Sequence, residues 1–156
     1  MGDGGERLIE ACAGGGPVGL DTMLFIYHFQ DDPRYAPLTQ ALLGAIEAFQ
    51  LEGVASTLLL TELLVHPLRA GADLAARDMY FLLTSFPHFE LVAPDAPIAL
   101  RVAGLRAERG LRTPDAIHIA TAIERGGTVF LTNDRRLATV QSVGLGVLIL
   151  DDFVNP

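Results

Sequence analysis

The chain has no lysine: among its 156 residues all eleven basic side chains are arginine, set against nineteen aspartates and glutamates for a formal net charge of −8. That absence removes a P-loop kinase, a Schiff-base enzyme and a receiver domain, because each depends on a lysine ammonium. Cysteine is nearly missing too. With Cys12 alone, neither an intrachain disulfide nor a cysteine-built zinc cage can form, which fits a reducing compartment. No stretch approaches the roughly 20 apolar residues that a membrane crossing needs, and the first residues lack the basic start and long apolar run of a signal peptide. A soluble, cytoplasmic protein is expected. The scarcity of positive charge argues against nonspecific coating of nucleic acid, though not against a nuclease whose acids are neutralised by metal.

Half of the residues are hydrophobic, and the length suits one domain with a sizeable core. Residues 1–16 are glycine-rich and read as a flexible leader, residues 17–156 as a single domain. Val18 to Leu20 is a short apolar strand that passes at Asp21 straight into the apolar run Met23 to Phe29. Leu38, Leu42, Ile46 and Phe49 recur at helical spacing. Val54 and Ala55 make a short strand, and Ser56 stands as the cap of a helix over 58–65 that Pro67 should end or kink. Next come a helix over 72–86, a strand over 89–92 and an Asp95-capped helix to Gly110.

The stretch after Gly110 is the best punctuated. Thr113 occupies a cap position, Pro114 suits the first helical residue, and Asp115 lies in the first turn of a helix ending at Gly126-Gly127. Thr128 to Leu131 is a strand delivering Thr132, Asn133 and Asp134. A helical turn over 135–140 and a strand over 147–150 complete the chain. Strands alternating with helices imply an α/β fold, a mostly parallel sheet of about five short strands covered on both faces.

Four acids stand where these elements begin or end. Asp21 and Asp134 come directly after strand ends, where open α/β sheets bind ligands. Asp115 enters from a helix N-terminus, and Glu62 lies on a helix whose apolar neighbours Leu58, Leu59, Leu63 and Leu64 predict a mostly buried setting. Gathered carboxylates repel one another, and a hard divalent cation relieves that repulsion. Alone, Asp115 is more simply a first-turn acid and Glu62 a surface glutamate; the set of four is what points to metal.

Leu20-Asp21-Thr22, Thr61-Glu62, Thr113-Pro114-Asp115-Ala116 and Leu131-Thr132-Asn133-Asp134 together resemble the motifs of PIN-domain ribonucleases, over nearly the whole chain beyond its leader. The resemblance implies a PIN-like three-layer fold and a Mg²⁺- or Mn²⁺-dependent endoribonuclease. Asp21, Asp115 and Asp134 would hold metal, and Glu62 would bind metal or orient the attacking water. Thr132 matches the family's hydroxyl position before the last acid, supporting the site or standing on its substrate side. The size is similar to that of VapC-type toxins of bacterial toxin–antitoxin pairs, which implies RNA as substrate, a cognate antitoxin and a homodimer.

A basic path for RNA is expected from Arg101, Arg106, Arg109 and Arg112, with Arg135 and Arg136 beside Asp134; Arg112, three residues from Asp115, is the foremost candidate for a phosphate contact. A solvated helix face explains these charges equally well. His118 shares a helix face with Asp115, yet its apolar neighbours favour a structural role. His28, His66 and His88 lack zinc-ligand spacing. A phosphatase of the HAD type would need an acid where Met23 stands, and dinucleotide binding fails because Gly14 to Gly16 precede the first strand. A PIN-like module that uses its acids to grip a basic partner segment, without turnover, is the competing reading.

Overall fold

Short apolar runs bounded by turns can be buried only if both faces are covered, and the chain satisfies this with five strands of three or four residues. The computed structural model describes residues 3–155. Strands β1 (Val18–Leu20), β2 (Gly53–Ser56), β3 (Phe89–Val92), β4 (Val129–Thr132) and β5 (Gly146–Ile149) form one wholly parallel sheet in the order β3-β2-β1-β4-β5. The order reverses at β1: the chain builds outward through β2 and β3, then returns to add β4 and β5 on the other side. Such a reversal opens a crevice beyond the strand ends. Leu20 pairs with Leu131, so Asp21 and the Thr132–Asp134 loop emerge side by side there.

Seven α-helices are described: α1 (Asp3–Cys12), α2 (Thr22–Phe29), α3 (Ala36–Glu47), α4 (Leu58–Arg69), α5 (Asp73–Ser85), α6 (Ala96–Arg109) and α7 (Thr113–Glu124). Two 3₁₀ segments, Arg135–Val143 and Leu150–Phe153, accompany them. One core joins α1 to α5 with one face of the sheet through Leu20, Leu24, Leu42, Ile46, Leu59 and Leu131. The other packs α6, α7 and the first 3₁₀ segment through Val54, Ile98, Ile119, Phe130 and Val140. Gly19 lets α7 lie directly on β1, since a Cβ there would stand 2.6 Å from that of Ala122. None of the described helices is long and apolar enough to cross a membrane.

Three local expectations change. The glycine-rich start is not a loose leader over Asp3–Cys12: it forms α1, whose Leu8 and Cys12 are 0% and 1% exposed in the α1–α3 core. Burial pushes the Cys12 thiol up to about 12, which leaves it inert at neutral pH. Pro67 does not stop α4, which continues to Arg69; placed in the last turn, it removes one N–H while few residues remain to be disturbed. The cap of α7 is Arg112 in extended conformation, with Pro114 in the first turn, so Thr113 is already helical.

Candidate active site

Asp21 is fixed from two sides, by α2 and by β4. It is the N-cap of α2, accepting the Thr22 N–H at 2.8 Å through one carboxylate oxygen. Its other oxygen accepts the Thr132 hydroxyl at 2.6 Å, across the β1–β4 junction. Burial pushes its carboxyl above the usual range; the Thr132 hydrogen bond and the neighbouring His118 pull it back only partly, and nearby Asp115 pushes it further up.

Thr132 itself is fully buried and accepts the backbone N–H of Asp134 at 3.1 Å while donating to Asp21. One hydroxyl therefore sets the spacing of two acids. A contact with substrate is closed to it, because no surface of Thr132 reaches solvent. Beside it, Asn133 clamps the loop: its Oδ1 accepts the Asp151 N–H at 2.9 Å, and its Nδ2 donates to the hydroxyls of Tyr27 and Tyr35. Tyr35 in turn donates to Asp151 at 2.7 Å.

Glu62 departs from its expected burial. Only Leu59 and Leu63 of α4 are buried, and the Glu62 side chain is 37% exposed, because α4 packs along a single stripe. Its Oε1 nevertheless accepts two hydrogen bonds, from the Thr22 hydroxyl at 2.8 Å and from His118 Nε2 at 2.6 Å. Burial pushes this carboxyl up, but the bonds from His118 and Thr22 outweigh it and hold the group below its ordinary range. His118, read from the sequence as structural, thus reaches the acids from α7, one turn beyond Asp115. The signal that could have found it was its three-residue offset from Asp115, paired with a hydroxyl directly after Asp21.

Asp115 and Asp134 are held by arginine. Arg112 Nε donates to Asp115 Oδ2 at 3.0 Å, and Arg136 Nε meets both oxygens of Asp134 at 2.9 and 3.1 Å. The Arg136 guanidinium holds the Asp134 carboxyl below its usual range, outweighing the upward push of burial, and Arg112 adds to the effect. Both arginines are about two-thirds exposed while the acids are 17% exposed, so the guanidinium groups form the solvent rim. Of the other arginines expected to form a basic path, three have partners other than the four acids. Arg101 pairs with Glu124, nine residues and roughly 13 Å along α7 from Asp115; Arg106 bonds the Leu111 carbonyl and Arg135 pairs with Asp152.

Hydrogen bonds through Thr22, His118 and Thr132 join Asp21 to Glu62 and to the Asp134 backbone, while Asp115 is near enough to Asp21, and Arg112 to Asp134, for their charges to be felt. A model of the PIN domain family matches residues 18–142. The chain belongs to the PIN domain family. Solved structures agree with this PIN fold. A toxin–antitoxin complex from Klebsiella pneumoniae aligns with a TM-score of 0.63 and 22% identity, over 86% of this chain and 97% of that one. VapBC2 from Rickettsia felis, bound to a DNA fragment from its promoter, aligns with a TM-score of 0.61 and 16% identity, over 85% and 97%. Among curated proteins, none matches the chain. Helix α1 and strand β5 lie outside the matched residues, and α1 packs in the core on the side away from α6 and α7.

The donor set of this PIN domain is all oxygen, which suits a hard divalent cation. Asp21 fits especially well: a carboxylate pushed up by burial, with no cationic side chain bonded to it among the described residues, is stabilised by an incoming positive charge. Among the described residues, no three His, Cys, Asp or Glu side chains are already arranged to hold one ion. Arg136 engages both oxygens of Asp134, whereas Arg112 engages one oxygen of Asp115 and leaves the other without a side-chain bond among the described residues.

Proposed function

We propose that this PIN domain is a divalent-metal-dependent endoribonuclease and the toxin of a toxin–antitoxin pair. The observation that carries the reading is the Thr132 hydroxyl, which ties Asp21 to the Asp134 backbone at the point where the sheet order reverses. Asp115 and Glu62 approach that junction from α7 and α4. In this reading Asp21, Asp115 and Asp134 hold Mg²⁺ or Mn²⁺, and Glu62 binds the ion or orients the water that attacks. A bound ion supplies Lewis-acid polarisation of the phosphate and a more acidic water. With an ion held by these acids, Arg112 and Arg136 on the solvent rim would be available to RNA phosphates. Exposed ion pairs of this kind contribute little to stability, so the exchange is easily made.

The partner reading rests on two supports. The structural neighbours are toxin–antitoxin assemblies, and a largely apolar cavity of about 420 Å³ is lined by Glu62, Gln30 and His66 together with Ile26, Phe29, Leu63, Pro67 and Met79. An apolar segment of an antitoxin seated there would cover Glu62. Exposed Leu74, Phe81 and Leu82 on α5 offer apolar surface for a second copy in a homodimer.

Purified protein with Mn²⁺ or Mg²⁺ is expected to cleave single-stranded RNA, and Asp21→Asn to reduce the rate more than about 100-fold, beyond what loss of an outer-shell partner costs. Full cleavage in excess chelator would exclude the metal mechanism. Unaffected growth on expression of this protein alone would remove the toxin role and leave the nuclease.

A further inference from the structure

We propose that His118, acting with Thr22, is a positioning residue for Glu62 in the cleavage reaction; the inference rests on the nuclease reading above. An ionised Glu62 only accepts, so the 2.6 Å contact requires a proton on His118 Nε2. The Thr22 hydroxyl spends its one proton on the same Oε1, at 2.8 Å. Its lone pairs then face His118 Nε2 at 3.3 Å, and the three groups close a ring with no donor left unused. Both bonds to Glu62 converge on Oε1. Among the described residues no side chain bonds Oε2, which is left as the oxygen that meets the water or the ion.

Packing alone does not account for an imidazole at this position. His118 is 3% exposed, and its Nδ1 is buried with no hydrogen-bond partner among the described residues. An apolar side chain of similar size would fill the same space without leaving a polar atom unsatisfied. What the imidazole adds is the Nε2–H. It is carried by α7, the helix that also bears Asp115, and it bonds an acid on α4, so it fixes the relative placement of two site acids 53 residues apart in sequence. Neighbouring groups can orient a reacting carboxylate in this way without touching substrate.

The test compares His118→Gln, His118→Asn and His118→Leu in the full chain. A glutamine places its amide N–H where Nε2 stands, an asparagine is too short to reach Glu62, and a leucine has no donor. With Mn²⁺ and an RNA oligonucleotide, His118→Gln is expected to keep kcat within about 5-fold of wild type, while the asparagine and leucine variants lose about 10–100-fold in kcat with little change in KM. The melting temperature of His118→Leu should stay within a few degrees of wild type, since loss of the bond to Glu62 is offset by removal of an unsatisfied buried nitrogen. Imidazole ¹⁵N spectra of wild type, with or without metal, should show the Nε2-protonated form, a signature that a packing role would not require. Equal kcat in all four proteins, equal loss in all three variants, or an Nδ1-protonated ring would each overturn the proposal. Wild-type protein that fails to cleave RNA with either metal would instead overturn the nuclease reading on which it rests.

Discussion

The side chains that hold Asp21 and Glu62 are far away in sequence, whereas those that hold Asp115 and Asp134 are arginines within three residues. Thr132 reaches Asp21 across 111 residues, and Thr22 and His118 reach Glu62 across 40 and 56. Arg112 and Arg136 lie three and two residues from their acids. The two kinds of partner differ in what they can do. A hydroxyl on a sheet strand or an imidazole packed inside a helix interface cannot move without disturbing the core. An exposed arginine side chain can swing away at the cost of one weak ion pair. The first two acids are therefore fixed by the fold, and the second two are exchangeable: in the proposed nuclease they would trade a guanidinium for a metal ion and release that guanidinium to a phosphate.

The largest test of this contrast is Asp21→Asn, read as stability. Asparagine retains the cap on α2 and removes a carboxyl that burial has pushed up. A folded-state value above the unfolded one means that Asp21 favours folding fully below the ordinary aspartate value near 3.9, and that the benefit is lost as pH rises through its raised value. At pH 7 the ionised group opposes folding. In chelator, the variant should melt roughly 2–4 °C higher than wild type, the effect of about 1 kcal/mol in a domain of this length. Saturating Mn²⁺ should reverse the order, because an ion at 100 times its Kd adds about 2.7 kcal/mol to the protein that binds it. Calorimetry at pH 7 with and without the ion decides the matter; a variant less stable than wild type in chelator would mean that Asp21 is not strained by its burial.

The same division explains which features are legible in the unfolded chain. The sheet, its parallel sense and the placement of Asp21 and Asp134 at strand ends come from short apolar runs alternating with helical periods, and the structure has them within a residue or two. The arginine next to each exchangeable acid is also visible, since an offset of two or three residues is a local fact. What stays hidden depends on distant packing. Thr132 is legible as a hydrogen-bonding support of the site, but not its full burial, which closes it to substrate, because burial of a strand's last residue depends on the helices above. His118 gives only an ambiguous spacing, since the glutamate it bonds belongs to another helix. Residues 3–12 read as a loose leader because their glycines lower helix propensity, an effect outweighed by burying Leu8 and Cys12 against α3.

The smallest expected effects belong to the exchangeable pair, and salt dependence exposes them. If Arg112 and Arg136 leave their acids for RNA phosphates, each contributes one counterion-releasing contact, so Arg136→Gln or Arg112→Gln should lower the slope of log affinity against log salt by about 0.7 for a single-stranded RNA. Stability near pH 7 should change only slightly, as for other exposed pairs. Acid titration supplies the sign: Asp134 is held below its usual range by Arg136, so its contribution is present above the ordinary aspartate value and lost as pH falls through its lowered value. The stability difference between wild type and Arg136→Gln should therefore vanish at low pH. Arg136 grips both oxygens of Asp134 and Arg112 only one of Asp115, so Arg136→Gln should have the larger effect on stability while the two salt slopes fall alike. An unchanged slope in both variants would make the guanidinium groups permanent partners of their acids and erase the distinction between the two pairs.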